Sequence, residues 1–268
     1  MTLAVFALLL AVAARPAAPG PAVEDTLLDV GGYRMHLVVH RGTRPLTIVM
    51  ESGGGAEISA WSGVDHELAR RTGATVVTYD RAGFGASDVG PVELTPREQV
   101  RQLDQALERL RTPEARIVVG HSYGGLMAVL HAHLGRGRVR GLVLVDPMNP
   151  RFVAATGDFV YSTVPHIEHP ASARDSAVAR MVATFDGLVH DADAGDAGLT
   201  LPIVVITAGE AWWKKPAIDS AWRAAHTAMA GAAPYRRLVV AGGSTHQIPA
   251  RRPDTIIEAV VALAGTRP

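Results

Sequence analysis

Hydrophobic residues are grouped into short, continuous runs along most of the chain. Six runs are rich in β-branched residues and end in polar residues or glycine: LTIVMES, ATVVTYD, ARIVVGH, VRGLVLVDP, LPIVVITAG and YRRLVVAGG. Such runs are typical of parallel strands that are covered on both faces. The earlier segment YRMHLVVHRG instead alternates apolar and polar residues. That alternation predicts a half-buried antiparallel strand at the edge of the same sheet.

Segments with helical periodicity lie between the strand-like runs. They read PREQVRQLDQALERL, PAIDSAWRAAHTAMA and PDTIIEAVVALAG. In the first, Val100, Leu103, Leu107 and Leu110 recur at a spacing of three or four residues, and Pro96 stands where a helix would begin. Strands that alternate with helices predict an α/β fold, with an open, mostly parallel central sheet flanked by helices.

The first 24 residues follow a different pattern. The apolar stretch from Leu3 to Ala14 is shorter than the about 20 residues that span a bilayer. It resembles the core of a signal peptide, although no Lys or Arg precedes it, and a frayed or docked helix is the alternative. The following RPAAPGPA has the composition of a linker. We therefore expect one domain over residues 25–268 and export to the periplasm or the medium, with a cytoplasmic location as the alternative.

Residues 149–200 interrupt the alternation of strands and helices. This region holds no strong strand pattern and contains the polar stretches VPHIEHP and HDADAGDAG. Loops of this length without structure of their own are uncommon in compact domains. We therefore expect a small helical cap inserted after the sixth strand rather than a long surface loop.

Composition narrows the classes of function. The chain has 268 residues, is 48% hydrophobic and carries 26 basic and 26 acidic side chains, which suits a neutral globular protein. We find no basic stripe for nucleic acid, no dinucleotide or phosphate-binding glycine motif and no metal-ligand spacing. The absence of cysteine excludes disulfides and a thiol nucleophile. We expect a small-molecule substrate, no cofactor or metal, and no stable membrane span in the mature protein.

The strongest chemical signal is the segment VVGHSYGGL. Gly120-His121-Ser122-Tyr123-Gly124 fits the pattern G-x-S-x-G, after an apolar strand and before a stretch able to form a helix. In that context the pattern indicates a nucleophile elbow, a sharp bend that lifts the serine hydroxyl clear of the sheet. Turn punctuation is the alternative for an isolated match of this length.

With two further segments, this motif resembles the α/β-hydrolase superfamily over nearly all of residues 25–268. YDRAGFGASD resembles the D-x-x-G-x-G-x-S segment that follows the fourth strand in that family, and GGSTHQIPARRPDTIIEAV resembles its histidine-containing end. The resemblance implies the α/β-hydrolase fold and a triad in the chain order serine, acid, histidine.

Among the eleven histidines, His246 is the candidate general base. It follows the last strand, at the carboxyl end of the sheet, where catalytic groups gather. His121 belongs to the elbow and is directed elsewhere, while His131 and His133 lie on the next helix, where structural or surface roles are expected. The remaining candidates His166, His169 and His190 fall in the predicted cap.

The resemblance leaves two candidates for the triad acid. The family commonly carries Gly-x-x-Asp after the seventh strand, where this chain has Gly209-Glu210-Ala211-Trp212. Some relatives instead carry the acid after the sixth strand, where Asp146 stands. We therefore favour Asp146 and keep Glu210 as the second candidate, although each has a structural alternative as a turn or loop carboxylate.

An oxyanion hole is expected from two backbone stretches. One donor is the N–H of Tyr123, directly after the nucleophile, and the other comes from the loop ESGGGAEISAW, with Gly54 favoured and Gly53 one register away. The aromatic side chains Trp61, Trp212, Trp213 and Tyr123 are candidates for the pocket wall or equally for core packing.

These residues predict a serine hydrolase that cleaves carboxylic esters through an acyl-enzyme. A serine at the elbow argues against the related epoxide hydrolases and haloalkane dehalogenases, which use an aspartate nucleophile. Lactonase, thioesterase, amidase and cofactor-free haloperoxidase activities remain alternatives on the same residues. A non-catalytic binding protein on the same fold is the alternative from another class.

Overall fold

An eight-stranded sheet forms the centre of the molecule. The computed structural model describes residues 22–163, 167 and 169–265. The strands are β1 (Val23–Asp29), β2 (Arg34–His40), β3 (Thr47–Glu51), β4 (Thr75–Tyr79), β5 (Arg116–His121), β6 (Val139–Val145), β7 (Ile203–Ala208) and β8 (Arg236–Ala241). Their spatial order is β1-β2-β4-β3-β5-β6-β7-β8. Strand β2 runs against both of its neighbours, and every other pairing is parallel.

The six continuous apolar runs form β3 to β8, as their pattern predicts. The antiparallel direction predicted for YRMHLVVHRG is also found, but its edge position is wrong, because β1 pairs along the outer side of β2. The alternation of exposed and half-buried residues along β1 is typical of an edge strand. This strand begins at Val23, two residues before the predicted start of the domain, and residues 1–21 lie outside the described part of the chain.

Helices cover both faces of the sheet. They are α1 (Val64–Thr72), α2 (Pro96–Arg109), α3 (Tyr123–Leu134), α4 (Pro150–Thr156), α5 (Asp158–Ser162), α6 (Ala173–Ala183), α7 (Phe185–Ala197), α8 (Pro216–Ala230), α9 (Ile248–Arg251) and α10 (Pro253–Gly265). One core cluster joins the sheet to α2, α3 and α7, and a second joins the other face to α1 and α10. Within the described ranges, none of these helices has the length and apolar character needed to cross a membrane.

The insertion after β6 is helical, as predicted, but only part of it is a cap. Helix α7 packs along α3 and buries Leu188 and Ala192 in the main core. A crossover between the parallel strands β6 and β7 needs such a helix on one face of the sheet. The part of the insertion that lines the cavity at Ser122 runs from α5 through α6 to Phe185, the first residue of α7, so the cap over the candidate site ends near residue 185 rather than at 200.

One buried arginine holds the cap in place. The Arg180 guanidinium of α6 donates hydrogen bonds to the backbone carbonyls of Ala82, Val89 and Pro91, at 2.7 to 2.9 Å. These carbonyls belong to the loop that follows β4, beside the carboxyl edge of the sheet. The cap therefore has a fixed position above that edge.

Candidate active site

Strand register brings the candidate residues to one edge of the sheet. His121, the last residue of β5, is paired with Val145, the last residue of the neighbouring β6. The next residue on each strand is Ser122 on one and Asp146 on the other, so these two side chains start next to each other. His246 lies on the loop after β8, whose strand ends at the same edge. The carboxyl edge of the parallel sheet thus collects three residues that are far apart in the sequence.

Ser122 lies on a strained bend between β5 and α3. Its φ of 55° and ψ of −120° are unfavourable for a residue with a side chain. The bend is tight enough to require glycine on both sides. A Cβ at Gly120 would lie 2.3 Å from the carbonyl oxygen of Gly124, and one at Gly124 would lie 2.3 Å from that of Glu51. Because glycine has no Cβ, the two glycines of the motif allow the backbone segments to approach each other around the serine.

The imidazole of His246 connects the serine to a carboxylate. Its Nε2 lies 3.0 Å from Ser122 Oγ, and its Nδ1 lies 2.7 Å from Asp146 Oδ2. Because an ionised carboxylate only accepts hydrogen bonds, Nδ1 carries the proton and donates a hydrogen bond to Asp146. The lone pair of Nε2 then faces the Ser122 hydroxyl. This is the arrangement in which a histidine can take the proton of a serine.

Asp146 is the carboxylate that contacts His246. It is fully buried, and its second oxygen accepts a hydrogen bond of 2.9 Å from the backbone N–H of Ala208. Burial alone would raise the pKa of the Asp146 carboxyl, but the hydrogen bonds from His246 and from the Ala208 N–H favour the carboxylate and keep that pKa below its usual value. The alternative acid, Glu210, is exposed, and its backbone N–H bonds to the carbonyl of Ser244. The geometry therefore favours Asp146 over Glu210.

A second buried histidine, which no sequence pattern marks, supports the turn that carries Asp146. His226 of α8 donates from Nε2 to the carbonyl of Pro147 at 2.8 Å, so its Nδ1 is an acceptor, 2.9 Å from the Thr207 hydroxyl. Burial lowers the pKa of His226, and the neutral ring follows from that environment. Its position in an ordinary amphipathic helix provides no sequence signal.

His121 has a supporting place beside the triad rather than inside it. Its Nε2 donates to the backbone carbonyl of His246 at 2.9 Å, which ties the elbow to the loop of the candidate base. Burial, reinforced by the neighbouring His246, lowers the pKa of His121 to about 4. The ring is therefore neutral at ordinary pH, and it acts as the hydrogen-bond donor in its contact with the His246 carbonyl.

The glycine loop after β3 lies against the elbow. A Cβ at Gly53 would lie 3.6 Å from Ser122 Cβ, and one at Gly54 would lie 3.5 Å from Tyr123 Cβ. Tyr123 is the first residue of α3, where backbone N–H groups have no partner within the helix. The three candidate oxyanion donors are thus neighbours of the serine.

Arg81 orients this loop and was not singled out from the sequence, although it lies in the quoted segment YDRAGFGASD. Its buried guanidinium donates to the carbonyl of Ser52 at 2.7 Å and to that of Gly53. A trans peptide points its C=O and N–H in opposite directions. Holding the Gly53 carbonyl therefore also fixes the direction of the Gly54 N–H, away from Arg81.

The aromatic candidates divide between core and cavity. Trp61 is completely buried and donates its indole N–H to Ser52 Oγ at 3.0 Å, so it supports the glycine loop. Trp212, Trp213 and Tyr123 line the cavity at Ser122. Trp212, which occupies the place of the family's common acid, stacks on the His246 ring with centroids 4.2 Å apart and planes 13° apart.

Two cavities open at the serine. The larger, of about 650 Å³, lies under the cap, and the smaller, of about 360 Å³, lies between the glycine loop and α9. Ser122 and Gly54 belong to the walls of both. Among the cap histidines, His169 and His190 are exposed and line neither cavity, and His166 lies outside the described residues. In the part of the chain that the structure describes, no three His, Asp or Glu side chains converge as metal ligands.

Known proteins agree with this architecture. The uncharacterized protein YqjL of Bacillus subtilis is 26% identical over 221 residues, which is 82% of this chain and 83% of that protein. A probable hydrolytic enzyme of Pseudomonas aeruginosa superposes with a TM-score of 0.68 at 18% identity, over 92% of this chain and 95% of the other. A bromoperoxidase of Bacillus anthracis gives 0.66 at 15% identity, over 91% and 100%. The sequence model of the alpha/beta hydrolase family matches residues 48–262, and the chain belongs to that family.

Proposed function

We propose that the protein is a cofactor-independent serine hydrolase that cleaves carboxylic esters through an acyl-enzyme. The observation that carries the proposal is the unbroken chain of contacts from Ser122 Oγ through the His246 imidazole to the Asp146 carboxylate. Membership of the hydrolase family supports an enzyme in general. The choice of esters rests on the serine nucleophile and on the neighbouring backbone donors.

In the acylation step, Ser122 Oγ attacks the acyl carbon of the ester while His246 Nε2 takes its proton. Asp146 keeps the imidazole in the tautomer that can accept this proton and stabilises the imidazolium that forms. The C–O bond to the alcohol then breaks, and the imidazolium returns the proton to the leaving oxygen. A water molecule then gives a proton to the same imidazole and attacks the acyl carbon. The bond between the acyl carbon and Ser122 Oγ breaks, the imidazolium returns the proton to Oγ, and the acid is released.

Charge stabilisation comes from the backbone and from an aromatic ring. The N–H groups of Tyr123 and Gly54 hold the oxyanion of each tetrahedral intermediate, with Gly53 as the alternative donor. Losing one such donor typically costs about 10²–10³ in rate. The face of Trp212 lies against the imidazole and favours the positive charge that develops there during each step.

The proposal is tested with short p-nitrophenyl acyl esters and the substitution Ser122→Ala. Wild-type protein should release p-nitrophenol, and Ser122→Ala should reduce the rate by several orders of magnitude. Ser220→Ala, at an exposed position of α8, is the matched control and should turn over like wild type. Intact-mass spectrometry should find an acyl group on Ser122 in wild type only. Equal turnover by wild type and Ser122→Ala would overturn the proposal and favour a binding protein on the hydrolase fold.

We also propose that the protein is exported. The support is the apolar stretch Leu3–Ala14 and the linker that follows it, of which only the last residue, Ala22, belongs to the described part of the chain. N-terminal sequencing of protein from the native host should find the chain cut before Val23. Recovery of an intact Met1 from the folded, active protein would contradict export by cleavage.

A further inference from the structure

The two cavities that meet at Ser122 differ in the chemistry of their walls. The larger is mainly apolar, with one acidic and one basic side chain, Asp175 and Arg174, also in its wall. Its apolar side chains are those of Met148, Val160, Ile167, Val178, Met181, Val182, Phe185, Trp212 and Trp213. The smaller carries the polar side chains of Ser59, Ser62 and Gln247 together with Ala60, Pro249 and Ala250. An ester bound at Ser122 therefore meets an apolar space on one side and a small, partly polar space on the other.

The position of the candidate base decides which part of the ester enters which space. His246 must deliver a proton to the leaving oxygen, so that oxygen has to lie within hydrogen-bond reach of Nε2. Of the two cavities, the smaller has His246 in its wall. In the larger, Trp212 forms part of the wall and stacks on the His246 ring, so the tryptophan lies between the imidazole face and that space.

From this geometry, and resting on the proposed ester hydrolysis, we propose that the larger cavity binds the acyl group and the smaller binds the alcohol. The substrates are then esters of bulky, apolar carboxylic acids with small, polar alcohols. In the reaction, the Ser122 Oγ–C bond forms and the C–O bond to the alcohol breaks, and the Ser122 proton reaches the alcohol oxygen through His246. Departure of the alcohol empties the smaller cavity for the water that His246 activates.

The assignment is tested by filling each cavity separately. Val178→Phe fills the larger cavity from α6, and Ala250→Leu fills the smaller from the exposed side of α9. Two ester series are compared by kcat/KM: methyl esters with acyl groups from acetyl to decanoyl, and acetate esters with alcohols from methanol to octanol. Each cavity has a second variant: Val178→Ala enlarges the larger cavity, and Ala60→Leu fills the smaller one. Thermal melting checks that every variant folds.

The expected results differ between the two series. Wild type should prefer long acyl groups and short alcohols. Val178→Phe should lower kcat/KM for the longer acyl groups by about tenfold or more and leave the order of the alcohols unchanged. Ala250→Leu should lower it for the longer alcohols and leave the order of the acyl groups unchanged. The assignment would be overturned if Val178→Phe changed the order of the alcohols and Ala250→Leu that of the acyl groups, or if both variants changed the same series. Ester hydrolysis itself would stand in either case. Absence of any Ser122-dependent turnover would overturn the proposed function, and this assignment with it.

Discussion

Among the histidines that contact buried carboxylates, His246 and His131 have different surroundings, and the difference separates a candidate proton carrier from a structural cation. His246 has one carboxylate, Asp146, at Nδ1 and the Ser122 hydroxyl at Nε2. His131, on the helix that starts at the elbow, has carboxylates at both nitrogens. Its Nε2 lies 3.1 Å from Asp104 and its Nδ1 lies 3.7 Å from Glu51.

The difference in partners gives the two rings different tasks. Burial would lower the pKa of His131, but its hydrogen bond to Asp104 and the nearby negative charge of Glu51 outweigh it and raise that pKa. The two carboxylates near the ring favour its protonated form, and His131 lines neither cavity at Ser122. The ring of His246 keeps a lone pair towards a hydroxyl and borders a cavity. Both histidines contact a carboxylate, so the carboxylate does not distinguish them. The candidate base is distinguished by the serine hydroxyl at its other nitrogen.

The largest effect should separate the two histidines by rate. His246→Gln removes the base and should lower kcat by about 10⁴-fold or more while the melting temperature changes little. His131→Gln should leave kcat per folded molecule close to wild type but lower the free energy of unfolding by about 3–5 kcal/mol, because it breaks a buried ion pair. Ester kinetics and urea unfolding of both variants measure this. A His131→Gln protein that is fully stable yet inactive would reverse the two roles.

The two carboxylates should separate in the same way. Asp146→Asn keeps the shape but favours the wrong imidazole tautomer, so kcat should fall by about 10⁴-fold. Asp104→Asn should instead reduce stability, since Asp104 also binds Arg116 and Arg138. Glu210→Gln is the control for the alternative acid and should leave kcat unchanged. If Glu210→Gln lost the activity and Asp146→Asn kept it, the acid would have to be reassigned.

The aromatic face on His246 should contribute a smaller effect. Trp212→Leu removes the ring that lies parallel to the imidazole, and a cation–π contact of this kind contributes about 0.5–2 kcal/mol. The expected result is a two- to about thirtyfold lower kcat for an acetate ester, whose acyl group is too short to depend on the larger cavity. Trp212→Phe keeps a ring face and should recover most of the rate. A change in KM alone would mean that Trp212 only binds substrate.

Much of this architecture was predictable because it depends on local patterns. The continuous apolar runs marked β3 to β8, and the glycines around Ser122 marked the elbow. Once the resemblance to a family was recognised, the tryptophan at position 212 directed attention to Asp146. These features are visible because strand burial and tight backbone approach restrict which residue types can stand at a position.

The missed features depend on contacts between distant segments. Helix α7 contains HDADAGDA, a poor helix sequence, and forms because it packs on α3, where Gly195 lies against His133. His226 and Arg81 donate hydrogen bonds to backbone carbonyls of distant loops. His226 bonds to the carbonyl of Pro147, and Arg81 bonds to that of Gly53. A carbonyl is present at every residue, so no pattern of side chains announces which one a distant donor will reach.

The pH dependence of stability offers the finest test of the comparison. The pKa of His131 is raised in the folded protein above the ordinary value of 6.5. The folded state therefore binds the His131 proton more tightly than the unfolded chain does. The stabilisation is complete below pH 6.5 and is lost as the pH rises through the folded value, with a slope of at most about 1.4 kcal/mol per pH unit.

His131→Asn cannot titrate, so this contribution should vanish from its profile. Urea unfolding from pH 5.5 to 9 should show the free-energy difference between wild type and His131→Asn largest at the acid end and shrinking towards the alkaline end. If the free-energy difference between wild type and His131→Asn instead grew with pH, the His131 ring would be neutral in the folded protein. The two histidines would then differ only in their access to the cavity.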